Sequence, residues 1–151
     1  MLRTAGLRVT QPRIVVLSSV QAHPHSDTDT IYGLAREVLP VVSRQAIYDV
    51  LDALTVAGLL RRIQPAGHVA RYETRVGDNH HHIVCRSCGF IVDADCGAGE
   101  VPCSTPSRSG GFVVDEAEVT YWGICPDCAT TTNSVTPRDR TPNKPLGKER
   151  A

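Results

Sequence analysis

Asn79-His80-His81-His82-Ile83-Val84-Cys85-Arg86-Ser87-Cys88 gathers three imidazoles and two thiols into ten residues, and Cys125-Pro126-Asp127-Cys128 adds two more thiols far along the chain. Two Cys-x-x-Cys pairs supply the four soft ligands of a closed, tetrahedral structural zinc site. The short spacing lets one knuckle present both thiolates to one ion, and the second pair closes the site. Cys85, Cys88, Cys125 and Cys128 are therefore expected to hold a structural Zn(2+). Two disulfides or free core thiols are the competing reading, and the doubled x-x spacing speaks against it. The segment between the pairs is longer than a compact zinc ribbon needs, so a small subdomain is expected there.

The histidines point to different chemistry. In a strand over these residues, side chains alternate between faces. His80 and His82 then share one face, while His81 and Cys85 take the other. One strand can thus feed a closed sulfur site and a second, nitrogen- and oxygen-rich site that exchanges its metal. A histidine run standing alone is more often a solvated polar stretch; its place directly before a zinc knuckle favours the functional reading.

Outward from this stretch, the N-terminal part reads as helical. Leu2 to Ala5 form a short helix stopped by Gly6. Thr10 is a candidate N-cap with Pro12 in the first turn of a helix over about 11–22. Its apolar face runs through Ile14, Leu17, Ser18 and Gln21, broadened by Val15, Val16 and Val20. Asp27 or Ser26 caps a second helix whose stripe is Ile31, Leu34, Ala35 and Val38, ended by Pro40. Ser43 caps a third, over 43–54, burying Ile47, Val50, Leu51 and Leu54. Leu59–Ile63 and Val69–Glu73 flank a Pro65-Ala66-Gly67 turn and form a hairpin. Three helices and a hairpin make a winged helix-turn-helix.

The third helix then exposes Arg44, Gln45, Tyr48 and Asp52. Arg and Gln near the start of the second helix of such a motif are residue types that read major-groove edges. Tyr48 is placed to pack on thymine methyls, and Ser43 to bond a phosphate while capping. An ordinary amphipathic helix with a solvated face is the bland alternative; Arg61, Arg62 and Arg71 in the hairpin favour DNA. Candidate strands of the second half are His81–Arg86, Phe90–Asp95, Phe112–Glu116 and Val119–Ile124. Cys96 and Cys103, in a Gly/Pro-rich loop, stand outside the zinc set as a redox pair or as ordinary thiols.

The formal net charge of zero hides an asymmetry. Residues 1–76 carry nine Lys/Arg against six Asp/Glu, residues 77–130 two against eight, and residues 131–151 five against two. A mildly basic first half is compatible with phosphate contact, and an acidic second half with cations. No run of eighteen apolar residues and no charged-then-apolar leader is present, which predicts no membrane span. With four of six cysteines in metal spacing, a cytoplasmic setting is expected.

Taken together, Thr10-Gln11-Pro12-Arg13, His25 ahead of Ile31-Tyr32, Ser43-Arg44-Gln45-Ala46-Ile47-Tyr48, Arg71-Tyr72-Glu73, the His80–Gly89 run and Tyr121-Trp122-Gly123-Ile124-Cys125-Pro126-Asp127-Cys128 resemble the ferric uptake regulator (Fur) family over roughly residues 5–129. The run from Gly77 to Cys88 is most similar to its actinobacterial FurA/CatR-type branch of metal- and peroxide-responsive repressors. The resemblance implies an α+β fold: a winged-helix DNA-binding domain (1–76), a hinge (77–79), a small C-terminal α/β dimerisation and metal-binding domain with a four-cysteine zinc site (80–130), and a disordered tail (131–151). It implies a homodimeric repressor of oxidative-stress (catalase-peroxidase) or iron genes, acting on an inverted-repeat operator. Metal is the corepressor, and peroxide or metal loss relieves repression.

By the same resemblance a regulatory Fe(2+), Mn(2+) or Zn(2+) is held by His25, Glu73, His80, His82 and Asp93, and Arg8 reaches the minor groove. Glu73 stands where dedicated peroxide sensors carry Asp, and Ala117 near where a further metal site usually has a histidine. Enzyme readings fit less well. A zinc deaminase needs His-x-Glu and Pro-Cys-x-x-Cys, whereas here Pro126 lies inside the pair. A thiol oxidoreductase lacks its βαβ pattern. A zinc-stabilised interaction module is the remaining rival, separated from a repressor by whether Arg44, Gln45 and Tyr48 are needed for DNA binding.

Overall fold

Thr10 lies in extended backbone and Pro12 follows in the first turn, where a missing N–H leaves no hydrogen bond unmade. Helix α1 (Gln11–Ala22) starts there, although the Thr10 side chain makes no capping bond. The computed structural model describes residues 1–78, 80–95, 108–114 and 117–132. Leu2 to Gly6 is a turn rather than a helix, with Leu2 buried against the core. In α1 the buried side chains are Val15, Val16, Leu17 and Val20, while Ile14 is 42 % exposed and Ser18 and Gln21 face outward. The expected stripe is thus rotated. Ile14-Val15-Val16-Leu17 is apolar on every side, so periodicity cannot orient it; packing on the next two helices does.

Strand β1 (Ser26–Asp27) leads into α2 (Thr28–Val38), capped by Asp27, whose Oδ1 accepts from the Thr30 N–H at 2.8 Å. Ile31 and Ala35 are buried and Val38 runs out into solvent. Helix α3 (Arg44–Val56) is capped by Ser43, whose hydroxyl accepts from the Ala46 N–H at 3.1 Å. Its Ile47, Leu51 and Leu54 close one core with Val16, Val20, Ile31, Leu60 and Tyr72. Each such aliphatic side chain contributes about 1.5–3 kcal/mol by leaving water.

The wing is β2 (Arg61–Ile63) against β3 (Arg71–Glu73), with Arg62 opposite Tyr72. Strand β1 joins the other edge of β3, Ser26 opposite Tyr72, a pairing too short to show alternation in the sequence.

The second half is a sheet of order β5-β4-β6. Its central strand β4 (His81–Cys85) runs antiparallel to β5 (Ile91–Ala94) and parallel to β6 (Thr120–Gly123). Helix α4 (Pro126–Thr132) follows; it was not expected, and it carries Thr131 and Thr132, which the sequence reading placed in the tail. Residues 112–114 are not a strand, and 115–116 lie outside the described residues, as do Asn79 of the hinge, Cys96, Cys103 and the chain beyond 132. On one sheet face Val92, Ile83 and Tyr121 sit side by side in register, 40 %, 42 % and 50 % exposed.

Among the described residues the halves meet in two regions. One is the histidine cluster described below. The other is the wing turn: the His68 ring stacks on Trp122 of β6 with centroids 5.9 Å apart, and Arg86 lies over the same indole at 5.3 Å. Gly89, with φ +74°, closes the knuckle beneath His68.

Candidate metal centres

The four cysteines converge as the spacing implied. Cys85 ends β4 and Cys88 follows in the turn, held by Gly89 N–H to Cys85 C=O at 2.9 Å and Cys85 N–H to Phe90 C=O at 2.8 Å. Because β6 runs parallel to β4, Gly123 lies opposite Cys85 and delivers Cys125 to the knuckle, while the first turn of α4 carries Cys128. The Cys125 N–H donates to the Cys85 sulfur at 3.3 Å. All four Sγ atoms lie within 4.8 Å of one another, and Cys88 and Cys125 sulfurs are 3.7 Å apart. A Zn–S bond of about 2.3 Å gives a tetrahedron edge of about 3.8 Å, so the set fits zinc. None of the four is in a disulfide.

Their protonation is uneven. Backbone N–H groups of Cys125 and Cys88 lower the Cys85 thiol to about 6. A bond from Ser87 favours the Cys128 thiolate, but Cys125 and Cys88 outweigh it and push that thiol up to about 12. The Cys85 thiolate forms readily, while the Cys88 and Cys128 thiols resist until a cation brings the opposing charge.

The second cluster is drawn from both halves. His25 arrives from the loop before β1 with φ +60°, in the left-handed region. Among described residues that are not glycine it alone has a positive φ. Such backbone costs of order 1–3 kcal/mol and persists where the surroundings impose it. Here its N–H donates to Tyr72 C=O at 2.8 Å, turning the imidazole towards Glu73 at the end of β3. From the other half, His82 stands opposite Asp93 in the β4–β5 register, and His80 precedes it on the same face.

His25 Nε2 is 3.0 Å from Glu73 Oε2 and 2.8 Å from Asp93 Oδ1. His82 Nε2 is 3.4 Å and 3.7 Å from the same two oxygens. Single donor atoms of His25, Glu73, His82 and Asp93 all lie within 4.8 Å of one another. His80 joins through Nε2, 3.1 Å from Glu73 Oε1 and 3.2 Å from His82 Nε2. Four of the five candidate donors thus share one cluster, and His80 stands outside that mutual set, beside Glu73 and His82.

Glu73 is 1 % exposed. Burial favours its neutral acid, but hydrogen bonds from His25 and His82 and the charges of His82 and His80 outweigh this and hold it near 2. Burial likewise lowers His25, while Glu73 and Asp93 raise it further, for a net rise. Three imidazole nitrogens facing two carboxylates fit a divalent cation by donor type. His80 and His82 are buried, and their Nε2 contact of 3.2 Å suits two ligands of one ion.

Two groups around the cluster were not anticipated. Asp78 Oδ1 lies 2.6 Å from His80 Nδ1, and the Arg75 guanidinium bonds Asp78, Asp93 and Asp95. A carboxylate two residues before a candidate ligand was visible in the sequence; the guanidinium's reach to Asp93 and Asp95 was not. His81 is buried near Tyr121, with neither ring nitrogen bonded among the described residues.

The DNA-reading candidates lie apart from both clusters. Arg44 and Tyr48 are 52 % and 46 % exposed; Arg44 stacks on Tyr32 and pairs with Asp29. Gln45 donates to Asp49 at 2.8 Å, Ser43 caps α3, and Arg8 is exposed before α1. Asp29 and Tyr32 therefore hold Arg44, and Asp49 holds Gln45, contacts that helical spacing alone did not reveal.

Residues 4–121 match the model of the ferric uptake regulator family. The chain belongs to the ferric uptake regulator family. It is 68 % identical over 133 residues to the transcriptional regulator FurA of Mycobacterium tuberculosis, covering 88 % of this chain and 90 % of that one. It is 30 % identical over 129 residues to the ferric uptake regulation protein of Neisseria meningitidis, covering 84 % and 90 %. Its fold is shared with the Helicobacter pylori ferric uptake regulator, which has three functional metal-binding sites (TM-score 0.65, 18 % identity, 85 % and 86 % covered). It is shared also with the Campylobacter jejuni peroxide stress regulator (TM-score 0.62, 22 % identity, 83 % and 92 % covered). The match to the Fur family takes in the winged helix and the histidine cluster; Cys125 and Cys128 lie just beyond it. No helix among the described residues is long and apolar enough to cross a membrane.

Proposed function

We propose that the protein is a homodimeric, metal-dependent DNA-binding repressor in the cytoplasm, with structural zinc at Cys85, Cys88, Cys125 and Cys128. Fe(2+), Mn(2+) or Zn(2+) at His25, Glu73, His80, His82 and Asp93 is the corepressor. The observation that carries this is the origin of the second donor set. His25 and Glu73 belong to the winged-helix half, and His80, His82 and Asp93 to the other. An ion bound there ties the halves together across Gly77 and Asp78, and so selects one spacing of the DNA-reading helices. Moving that equilibrium from 1:99 to 99:1 requires about 5.5 kcal/mol of preference for the closed state.

Arg44, Gln45 and Tyr48 meet base edges in the major groove, with Ser43 and Arg8 on the flanking backbone and minor groove. The exposed Val92-Ile83-Tyr121 row supports pairing with a second copy, which places two reading helices on an inverted repeat. The genes controlled belong to oxidative stress, such as catalase-peroxidase, to iron supply, or to both. Metal loss relieves repression. Relief by peroxide would act on the chain's own ligands, by adding oxygen to the imidazole of His25 or His82. Oxygen on neither peptide after peroxide treatment of the Fe(II) form would leave metal sensing alone.

A gel-shift titration with each metal tests the reading. His82→Ala is expected to fold, keep its zinc and fail to bind operator on metal addition. Metal-dependent binding by that variant would move the sensor elsewhere.

A further inference from the structure

We infer that Arg75 is a positioning residue of the regulatory metal centre, acting through Asp78 and Asp93; the inference rests on the reading of that centre given above. Arg75 leaves the wing just after Glu73 and crosses to the acidic edge of the second half. Its Nε is 2.5 Å from Asp78 Oδ2, Nη1 is 3.5 Å from Asp93 Oδ2, and Nη2 is 2.7 Å from Asp95 Oδ1. Two of these carboxylates are divided in the same way. Asp78 gives its other oxygen to His80 Nδ1 at 2.6 Å. Asp93 gives its other oxygen to His25 at 2.8 Å, with His82 at 3.7 Å and His80 at 3.9 Å. In each case one oxygen faces the guanidinium and one faces an imidazole.

Each division has a chemical consequence. A carboxylate that accepts from Nδ1–H selects the tautomer with its Nε2 lone pair free, and His80 Nε2 is the atom aimed at Glu73 and His82. Partners of this kind fix ring orientation and raise ligand basicity, and losing one typically costs 10–100-fold in metal affinity. Asp93, with one oxygen engaged outside, has a single oxygen to offer. That keeps the donor set compact, suited to a transition metal rather than to Ca(2+), which takes six to eight oxygens and often bidentate carboxylates. Arginine is required because its rigid planar fork reaches three carboxylates at once, whereas a lysine ammonium is a point charge on a flexible stem. The same side chain neutralises part of an acidic cluster that would otherwise attract hard cations without discrimination.

The test uses the full-length, zinc-loaded protein and Co(II) as the probe. Arg75→Lys keeps the charge and removes the fork; Asp78→Ala removes the His80 partner directly. Each is expected to weaken Co(II) binding about 10–100-fold, with zinc content and circular dichroism unchanged. Arg75→Lys is also expected to lower the intensity of the visible Co(II) band, as Asp93 contributes its second oxygen and coordination rises. A role confined to docking the halves would lower the melting temperature of the metal-free protein and leave affinity and band unmoved; that result overturns the inference. His82→Ala runs alongside. If it still binds Co(II) tightly, the centre itself is misassigned. If it loses Co(II) while both other variants stay within twofold of the parent, the centre stands and the role of Arg75 falls.

Discussion

Gly89→Ala probes the contact between the wing and the zinc knuckle, and its cost can be built from two parts. Gly89 has φ +74°, where a residue with a Cβ loses about 1–2 kcal/mol. A Cβ there would also meet His68 Nδ1 at 2.8 Å and Cε1 at 3.3 Å. The His68 ring can swing away, but then it leaves Trp122, and an aromatic stack is worth about 0.5–1.5 kcal/mol. The sum is about 1.5–3.5 kcal/mol. Gly77→Ala is the control, since Gly77 has φ +75° but nothing within 4 Å of its added Cβ, so only the backbone part applies. Trp122 is the sole tryptophan, and its fluorescence reports the stack directly during urea unfolding. Gly89→Ala and His68→Ala should shift the native emission alike, and Gly77→Ala should not. The double variant Gly89→Ala/His68→Ala should cost less than the two single losses added, by about the worth of the stack. Additive losses, or an unchanged emission in Gly89→Ala, would refute the contact.

Cys85→Ser or Cys128→Ser should each lose the structural zinc, worth on the order of 10 kcal/mol, and unfold the second half; full zinc content with native melting would exclude the four-cysteine site. Tyr48→Ala and Arg44→Ala should each weaken specific DNA binding by about 1–3 kcal/mol, with Arg8→Ala weakening it too, and unchanged footprints in all three would defeat the docking. Asp27→Ala removes the α2 cap and should cost about 1 kcal/mol in urea melts, while Asp27→Asn, which still accepts from the Thr30 N–H, should cost less. Burial works against the Asp27 carboxylate, but the Thr30 N–H and Arg71 outweigh it and lower its pKa. Its contribution is therefore present above its ordinary value of 3.8 and is lost as pH falls through the folded value, so parent and Asp27→Ala should converge in stability in acid.

Much of this protein is legible one residue at a time. Cys-x-x-Cys spacing announces a metal knuckle because ligand geometry is local, and strand alternation puts His80 and His82 on one face without knowledge of a neighbour. Caps at Asp27 and Ser43 follow from backbone N–H groups within three residues. The buried face of α1 was beyond reach, since an apolar run around the whole helix has no phase until α2 and α3 cover one side. The same holds for β1, whose two residues are a strand only because β3 pairs with them. Asp93 as a candidate ligand came from resemblance, and what places it in the cluster is a register: β5 sets it opposite His82. Arg75 and His68 were silent in the sequence. Their contacts are with Asp93, Asp95 and Trp122, far along the chain, and a long-range contact depends on where two elements come to rest, which no local pattern encodes.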